Sequence, residues 1–247
     1  MRALSTASSG MMAMELNVQV IANNLANMTT TGYKRQRAEF QDLLYDHVSR
    51  IGTQTSAQGN ILPVGIDLGS GVKAVGTPRL MTQGTLTQTG NNLDVAIRGD
   101  GFFKIELPDG TYAYTRDGSF SMDATGRIVN AQGDVVMPAI TIPQNSTGLT
   151  INAQGQVSVI PQGQTTPTIL GQLTLTRFTN QAGLLPIGDN MYTETPASGT
   201  PQDGLPATDG AGDLRQGSRE QSNGDSVTEL TNRLAAQRAY EMNSKVI

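Results

Sequence analysis

Apolar residues near the N-terminus recur at alternating steps of three and four: Leu4, Ala7, Met11, Met14, Val18, Ile21, Leu25 and Met28. That spacing is an a/d heptad seam and predicts an α-helix from Ser5 to about Asn27. No proline interrupts it, and Gly32, after Thr29-Thr30-Thr31, is the predicted stop. The C-terminal end repeats the theme. Asp225 or Ser226 can cap a helix running to Ile247, with Glu229 near the N3 position of a capping box. Its thinner seam runs through Val227, Leu230, Leu234, Ala235, Ala239, Met242 and Val246. This helix stops on an apolar step without a cap and reads as cut short.

Between the two ends the period changes to two. Strand candidates are Val95 to Ile97, Gly101 to Leu107, Tyr112 to Thr115, Gly118 to Met122, Leu149 to Ile151, Gln156 to Ile160 and Leu170 to Phe178. Turn chemistry separates them: Pro108-Asp109-Gly110, Asp117-Gly118, Asp123-Ala124-Thr125-Gly126 and Gln132-Gly133-Asp134. A recurrence of about 8–12 residues argues an antiparallel meander or barrel-like domain. Residues 46–71, carrying Gly, Gln, Thr, Ser and Pro63, and residues 193–217, dense in Gly, Pro, Thr and Asp, fit neither period. The predicted fold is mixed α and β, segregated. Paired terminal coiled-coil-type helices (1–30 and 220–247) flank an extended linker (31–75) and a central all-β domain (76–217), with a return arm over 193–217.

Composition narrows the chemistry. Only 15 % of residues are charged and the net charge is −4, which argues against nucleic acid and anionic lipid as partners. The absence of cysteine removes disulfides, thiolate nucleophiles and Cys-based metal sites. No apolar run approaches the roughly 20 residues of a membrane span, and the N-terminus lacks the apolar stretch of a cleaved secretory signal. The chain therefore either stays in the cytoplasm or leaves by a route needing no cleaved signal.

Candidate catalytic groups have simpler explanations. Asp100, Asp109, Asp117, Asp123 and Asp134 sit in Gly-containing turns, where Asx chemistry accounts for them without a carboxylate pair. His47 is the sole histidine, too little for a His-based metal site or most hydrolase triads. No catalytic, cofactor or metal residues are predicted. The basic cluster Lys34-Arg35-Gln36-Arg37 reads as a solvated or subunit-contacting face. What remains unusual is Ala22-Asn23-Asn24-Leu25-Ala26-Asn27, which places three amides where Asn costs helix propensity. Such amides fix register when they hydrogen-bond to another chain.

The string Ile21-Ala22-Asn23-Asn24-Leu25-Ala26-Asn27, followed by Thr31-Gly32-Tyr33-Lys34, resembles the N-terminal signature of the bacterial flagellar rod and hook axial proteins. Gln237-Arg238-Ala239-Tyr240-Glu241-Met242-Asn243-Ser244-Lys245 is similar to their C-terminal signature. Gly101-Phe102-Phe103 and Tyr114-Thr115-Arg116-Asp117-Gly118-Ser119-Phe120 resemble their β core. Arg35 to Tyr45, Leu62-Pro63 and Gly69-Ser70-Gly71-Val72 resemble the distal-rod branch. Residues 218–236 are more polar than the family pattern.

The resemblance implies a non-enzymatic subunit that polymerises helically into a hollow, torque-bearing rod in the basal body. That rod lies in the periplasm and reaches the outer membrane. Implied partners are further copies, proximal rod proteins, the hook protein, the L- and P-ring proteins and the flagellar type III export apparatus, with no membrane insertion. The residues expected at the assembly interface are Leu4, Met11, Met14, Val18, Ile21, Asn23, Asn24, Leu25, Asn27, Leu230, Leu234, Gln237, Arg238, Tyr240 and Asn243. Those expected in a rod-specific segment are Ile61, Leu62, Pro63, Ile66 and Leu68. Rival readings are a proximal rod or hook subunit of the same family and, more distantly, a rod-associated peptidoglycan hydrolase.

Overall fold

Helix α1 spans Arg2–Ala26 and helix α2 spans Ser226–Ser244 in the computed structural model of the chain, which describes residues 2–49 and 64–246. Asp225 is the N-cap of α2, its Oδ2 accepting from the Thr228 backbone N–H at 3.1 Å. The N3 residue is therefore Thr228. Glu229, predicted near that position, lies one residue further on and turns its side chain elsewhere. Among the described residues no helix is long and apolar enough to cross a membrane.

The chain divides into two compact units. The first contains residues 1–26, 36–79 and 225–247. In it α1 and α2 pack against one another. They run antiparallel, with Gly10 facing Asn243 at one end and Asn24 facing Glu229 at the other. Two short antiparallel pairs complete the unit, Glu39–Asp42 with Val72–Gly76 and Tyr45–Ser49 with Ile66–Gly69. The stretch 46–71, read as neither helix nor strand, thus contributes strand at both ends. Its middle lies outside the described residues.

The second unit contains residues 27–35 and 80–224. Its seven-stranded sheet has the spatial order Leu185–Gly188, Met191–Thr193, Tyr112–Thr115, Phe103–Glu106, Val135–Met137, Ile128–Val129, Ser121–Met122. A three-stranded sheet joins Ser146–Ile151, Gln156–Pro161 and Thr168–Gln172. The neighbouring strands of both sheets pair antiparallel. Most are local hairpins, as turn residues at short spacing dictate. Late segments, however, pair with early ones: Asp213–Gln216 with Val95–Arg98 and Ser218–Glu220 with Leu86–Gln88. Residues 193–217 are accordingly more than a connector, since Leu214 belongs to the buried core.

Alternation along strands explains where that core sits. Phe103 and Ile105 are fully buried in one apolar cluster with Val95, Ile97 and Val157. The adjacent Phe102 points to the opposite face, as pleating requires, and joins Tyr114, Phe178, Leu184 and Tyr192 in a second cluster. Tyr114 meets Phe178 edge-to-face with ring centroids 4.8 Å apart, a favoured aromatic geometry. Burial pushes the Tyr114 hydroxyl up to about 12.

One glycine is held by two independent constraints. Gly32 has φ +69°, and a Cβ there would lie 2.8 Å from the Asp117 nitrogen and 2.9 Å from the Arg116 carbonyl carbon. Both contacts are with backbone, which cannot swing aside. Gly32→Ala should cost about 2 kcal/mol or more of unfolding free energy. Denaturant titration of the purified chain checks this, and an unchanged midpoint would overturn the steric account.

Candidate assembly interface

Where α1 is seen to face α2, the residues are small or polar, Gly10 against Asn243 and Asn24 against Glu229. Along α1 the buried residues are Ala7, Ala13, Val20, Ile21 and Asn24. Of the predicted seam only Ala7 and Ile21 are buried, whereas Met11, Met14, Val18 and Leu25 are half-buried and Leu4 is exposed. On α2 the buried residues are Glu229 and Ala236. A Cβ on Gly10 would lie 2.8 Å from Asn243 Nδ2, so the helices approach closely there.

The apolar stripe of α2 points away. Leu230 is 50 % exposed and Leu234 51 %, and Val227, Tyr240, Met242 and Val246 are exposed with them. Gln237 and Arg238 are exposed, and Asn243 is half-buried. The predicted C-terminal seam therefore is not the surface that meets α1 within the chain. The physical reason is spacing: Glu229, Ala236 and Asn243 recur at heptad steps and form their own stripe.

Of the three signature amides, Asn24 is buried and makes hydrogen bonds within the chain. Its Nδ2 donates to the Gln36 carbonyl oxygen at 2.8 Å, and its Oδ1 accepts from the Gln36 backbone N–H at 2.9 Å. The carboxamide thus substitutes for a strand neighbour at Gln36, and Nδ2 also faces Glu229 Oε2 at 3.4 Å. Asn27 lies in the turn that follows α1, its Oδ1 accepting from the Thr30 hydroxyl at 3.3 Å. Asn23 is exposed.

Of the residues expected in a rod-specific segment, Ile66 and Leu68 are exposed on a two-stranded hairpin. Leu44, Tyr45, Val48 and Val64 are exposed in the same part of the chain. Ile61, Leu62 and Pro63 lie outside the described residues. His47 pairs across this hairpin with Asp67. Among the described residues no group of three or more His, Cys, Asp or Glu side chains could hold a metal ion.

The basic cluster is the clearest departure from expectation. Lys34 is not solvated: its side chain is 1 % exposed, and its Nζ lies 2.6 Å from Oε1 of Glu220, itself 0 % exposed. Arg116 Nε donates to the other oxygen, Oε2, at 3.0 Å. Lys34 Nζ also donates to the Thr82 carbonyl, and Arg116 Nη1 donates to the carbonyls of Gly99 and Gly101. Glu220 accepts a further bond from the Gly84 backbone N–H at 2.9 Å. Burial, opposed by Glu220 and reinforced by Arg116, holds the Lys34 pKa below its ordinary value. Removing the shared carboxylate would leave two buried cations, whereas removing Lys34 leaves a balanced pair. Glu220→Gln should therefore cost about 3–5 kcal/mol, and Lys34→Met distinctly less. Thermal unfolding of both variants checks the order, and the reverse order would refute the shared-carboxylate account.

The aspartates do what turns require. Oδ1 of Asp109, Asp117 and Asp123 accepts from the backbone N–H two residues on, Thr111, Ser119 and Thr125, and from the hydroxyl of the same residue. Asp134 accepts from Asn130, which caps that turn. Asp100 stands between Gly99 and Gly101, both with positive φ.

The Thr125 hydroxyl foremost, with the backbone N–H groups of Arg127 and Thr125 and the Arg127 guanidinium, holds the Asp123 carboxyl well below the usual carboxylate range. A depressed folded pKa means stabilisation that is present above the unfolded value of about 4 and lost as pH falls. The thermal midpoint of Asp123→Ala should lie below that of the parent chain at neutral pH. The gap should narrow steadily below about pH 4. A gap independent of pH would assign the stabilisation elsewhere.

Comparison with known proteins follows these elements. Residues 4–34 match the model of the flagella basal body rod protein family. Residues 96–159 match the D1 domain of the flagellar hook protein FlgE/F/G, and residues 215–247 match the C-terminal part of the flagellar basal body rod FlgEFG proteins. The chain is 53 % identical over 247 residues to the flagellar basal-body rod protein FlgG of Caulobacter vibrioides, covering 100 % of this chain and 94 % of that protein. It is 48 % identical to FlgG of Buchnera aphidicola subsp. Acyrthosiphon pisum, covering 97 % of this chain and 92 % of the relative. It is also 48 % identical to FlgG of Agrobacterium fabrum, with coverages of 100 % and 94 %.

Proposed function

The chain belongs to the FlgG family of flagellar basal-body rod proteins, and from that premise we propose that its copies stack helically into a straight, hollow distal rod. It is a structural subunit of the basal body, not an enzyme, and assembles with other rod and hook proteins. The observation that carries the finer reading is the outward apolar stripe of α2, Leu230 and Leu234 with Val227, Tyr240, Met242 and Val246.

A helix stabilises itself in a folded protein by burying an apolar face. The α1 residues seen against α2, Gly10 and Asn24, offer little apolar area. Neighbouring copies supply the missing cover in this proposal, forming coiled-coil-type contacts with α2 and with Leu4, Met11, Met14, Val18 and Leu25 of α1. The helices then line an inner tube through which later subunits pass, and the β-rich region forms the outer wall that transmits torque. Exposed Ile66 and Leu68, with Ile61, Leu62 and Pro63, dock on neighbours and keep the tube straight. The L- and P-ring proteins surround the rod in the periplasm, and the chain arrives through the flagellar export apparatus without a cleaved signal.

The double variant Leu230→Asp, Leu234→Asp places two charges on the exposed stripe without touching Glu229, Ala236 or Asn243. It should leave the unfolding free energy of the monomer within about 1 kcal/mol of the parent chain, because exposed positions contribute little. It should abolish polymer formation. Electron microscopy of the purified chain should show straight tubes for the parent and none for the variant. Supercoiled tubes from the parent would favour the hook reading, and tubes from the variant would exclude the stripe from assembly.

A further inference from the structure

We propose that Asn223-Gly224 is a fold-gated deamidation site, protected while residues 221–224 are latched and reactive when they are not. It is the only Asn-Gly pair in the 247-residue sequence. Glycine after asparagine leaves the backbone nitrogen unhindered, so that it can attack the side-chain carbonyl carbon. In that step the Gly224 nitrogen loses its proton and bonds to Cγ of Asn223. The Cγ–Nδ2 bond breaks, and Nδ2 leaves as ammonia after taking up a proton. Water then adds to either carbonyl of the resulting succinimide, opening it to aspartate or isoaspartate.

Both reacting groups are engaged elsewhere in the folded chain. Asn223 Nδ2 donates to the Leu80 carbonyl at 2.7 Å, the Thr82 carbonyl at 3.1 Å and the Thr82 hydroxyl at 2.9 Å. Oδ1 accepts from the Arg35 backbone N–H at 2.9 Å. The nucleophile, Gly224 N–H, donates to the Ser222 hydroxyl at 3.1 Å. Turning Cγ towards Gly224 breaks most of these bonds at once. Losing three or more bonds of ordinary strength corresponds to a suppression of about 100-fold or more.

The product also opposes re-latching. An aspartate at 223 has no donor for the Leu80 and Thr82 carbonyls and instead sets a negative charge against them. The bond from Arg35 N–H survives, and the Thr82 hydroxyl can turn to donate to the new carboxylate, but both bonds to backbone carbonyls are lost. Asn223 ties three segments of its unit together, residues 35, 80–82 and 221–224, and deamidation releases that tie. A chain left unfolded too long is therefore marked irreversibly, whatever assembly it serves.

The full-length chain is incubated at mildly alkaline pH in native buffer and, in parallel, in concentrated urea, and conversion at Asn223 is followed by peptide mapping and mass spectrometry. Conversion should be about 100-fold faster or more in urea. Gly224→Ala separates the chemistry from the fold, because the nearest contact of its Cβ would be Ser222 Oγ at an ordinary 3.4 Å. That variant should fold normally and convert far more slowly in urea. Asn223→Asp should show a lowered thermal midpoint or fail to fold. Equal rates in the two buffers would overturn the gating, and an unchanged midpoint for Asn223→Asp would overturn the irreversible mark.

Discussion

Glu220 is shared by Lys34 and Arg116 in a place where none of the three side chains meets water to any extent. An isolated buried ion costs several kcal/mol, so the two cations are tolerable only with the Glu220 carboxylate in position between them. That requirement brings together segments that are remote in sequence: residues 32–34, 82–84, 99–101, 116 and 220. The close backbone approaches follow from it. A Cβ on Gly84 would lie 1.9 Å from the Gln221 carbonyl oxygen, and Gly32 is similarly hemmed in by Arg116 and Asp117. Two of the strings that resemble the rod and hook signatures, Thr31-Gly32-Tyr33-Lys34 and Arg116-Asp117-Gly118, meet at this cluster. Their composition is explained by packing inside one chain, without appeal to a partner.

The two units solve the burial problem differently. The β-rich unit has two apolar clusters on opposite faces of its main sheet, and its turns are stitched by aspartate and asparagine side chains. In the helical unit the helices face one another at Gly10 and Asn243 and at Asn24 and Glu229, residues with little apolar area to contribute. Its largest apolar side chains on α2 face outward. A subunit arranged in this way leaves apolar side chains uncovered along its C-terminal helix, the cover that the proposed rod would supply. The Asn24 carboxamide bonds to the Gln36 backbone and so directs the path of the chain after the helix.

Much of the fold was legible along the chain. The three-four spacing from Leu4 to Met28 marked α1 nearly to its observed ends, and Asp225 marked the start of α2, because helical periodicity and capping are local properties. Phe103 and Ile105 were recognisable as core by alternation, and the Asp turns by their glycine neighbours. The candidate interface was legible as a set of apolar and amide residues on the terminal helices, but not as to which of them stay inside the monomer. Ala13, Val20 and Glu229 are buried although they lie off the predicted seams, since helix rotation is set by the neighbouring segment and by close approach at Gly10.

Sequence alone determined the helical ends, the β character of the middle, the turn chemistry and the family. Each of these is written within a few residues and needs no knowledge of what lies across space. Tertiary structure decided the rest. It returned residues 213–220 to pair with strands more than a hundred positions earlier, and it turned Lys34 from a surface cation into a buried one. Nothing adjacent to Lys34 in sequence announces Glu220. The free energy of a charge depends on the dielectric and partners around it, and those exist only once the chain has folded.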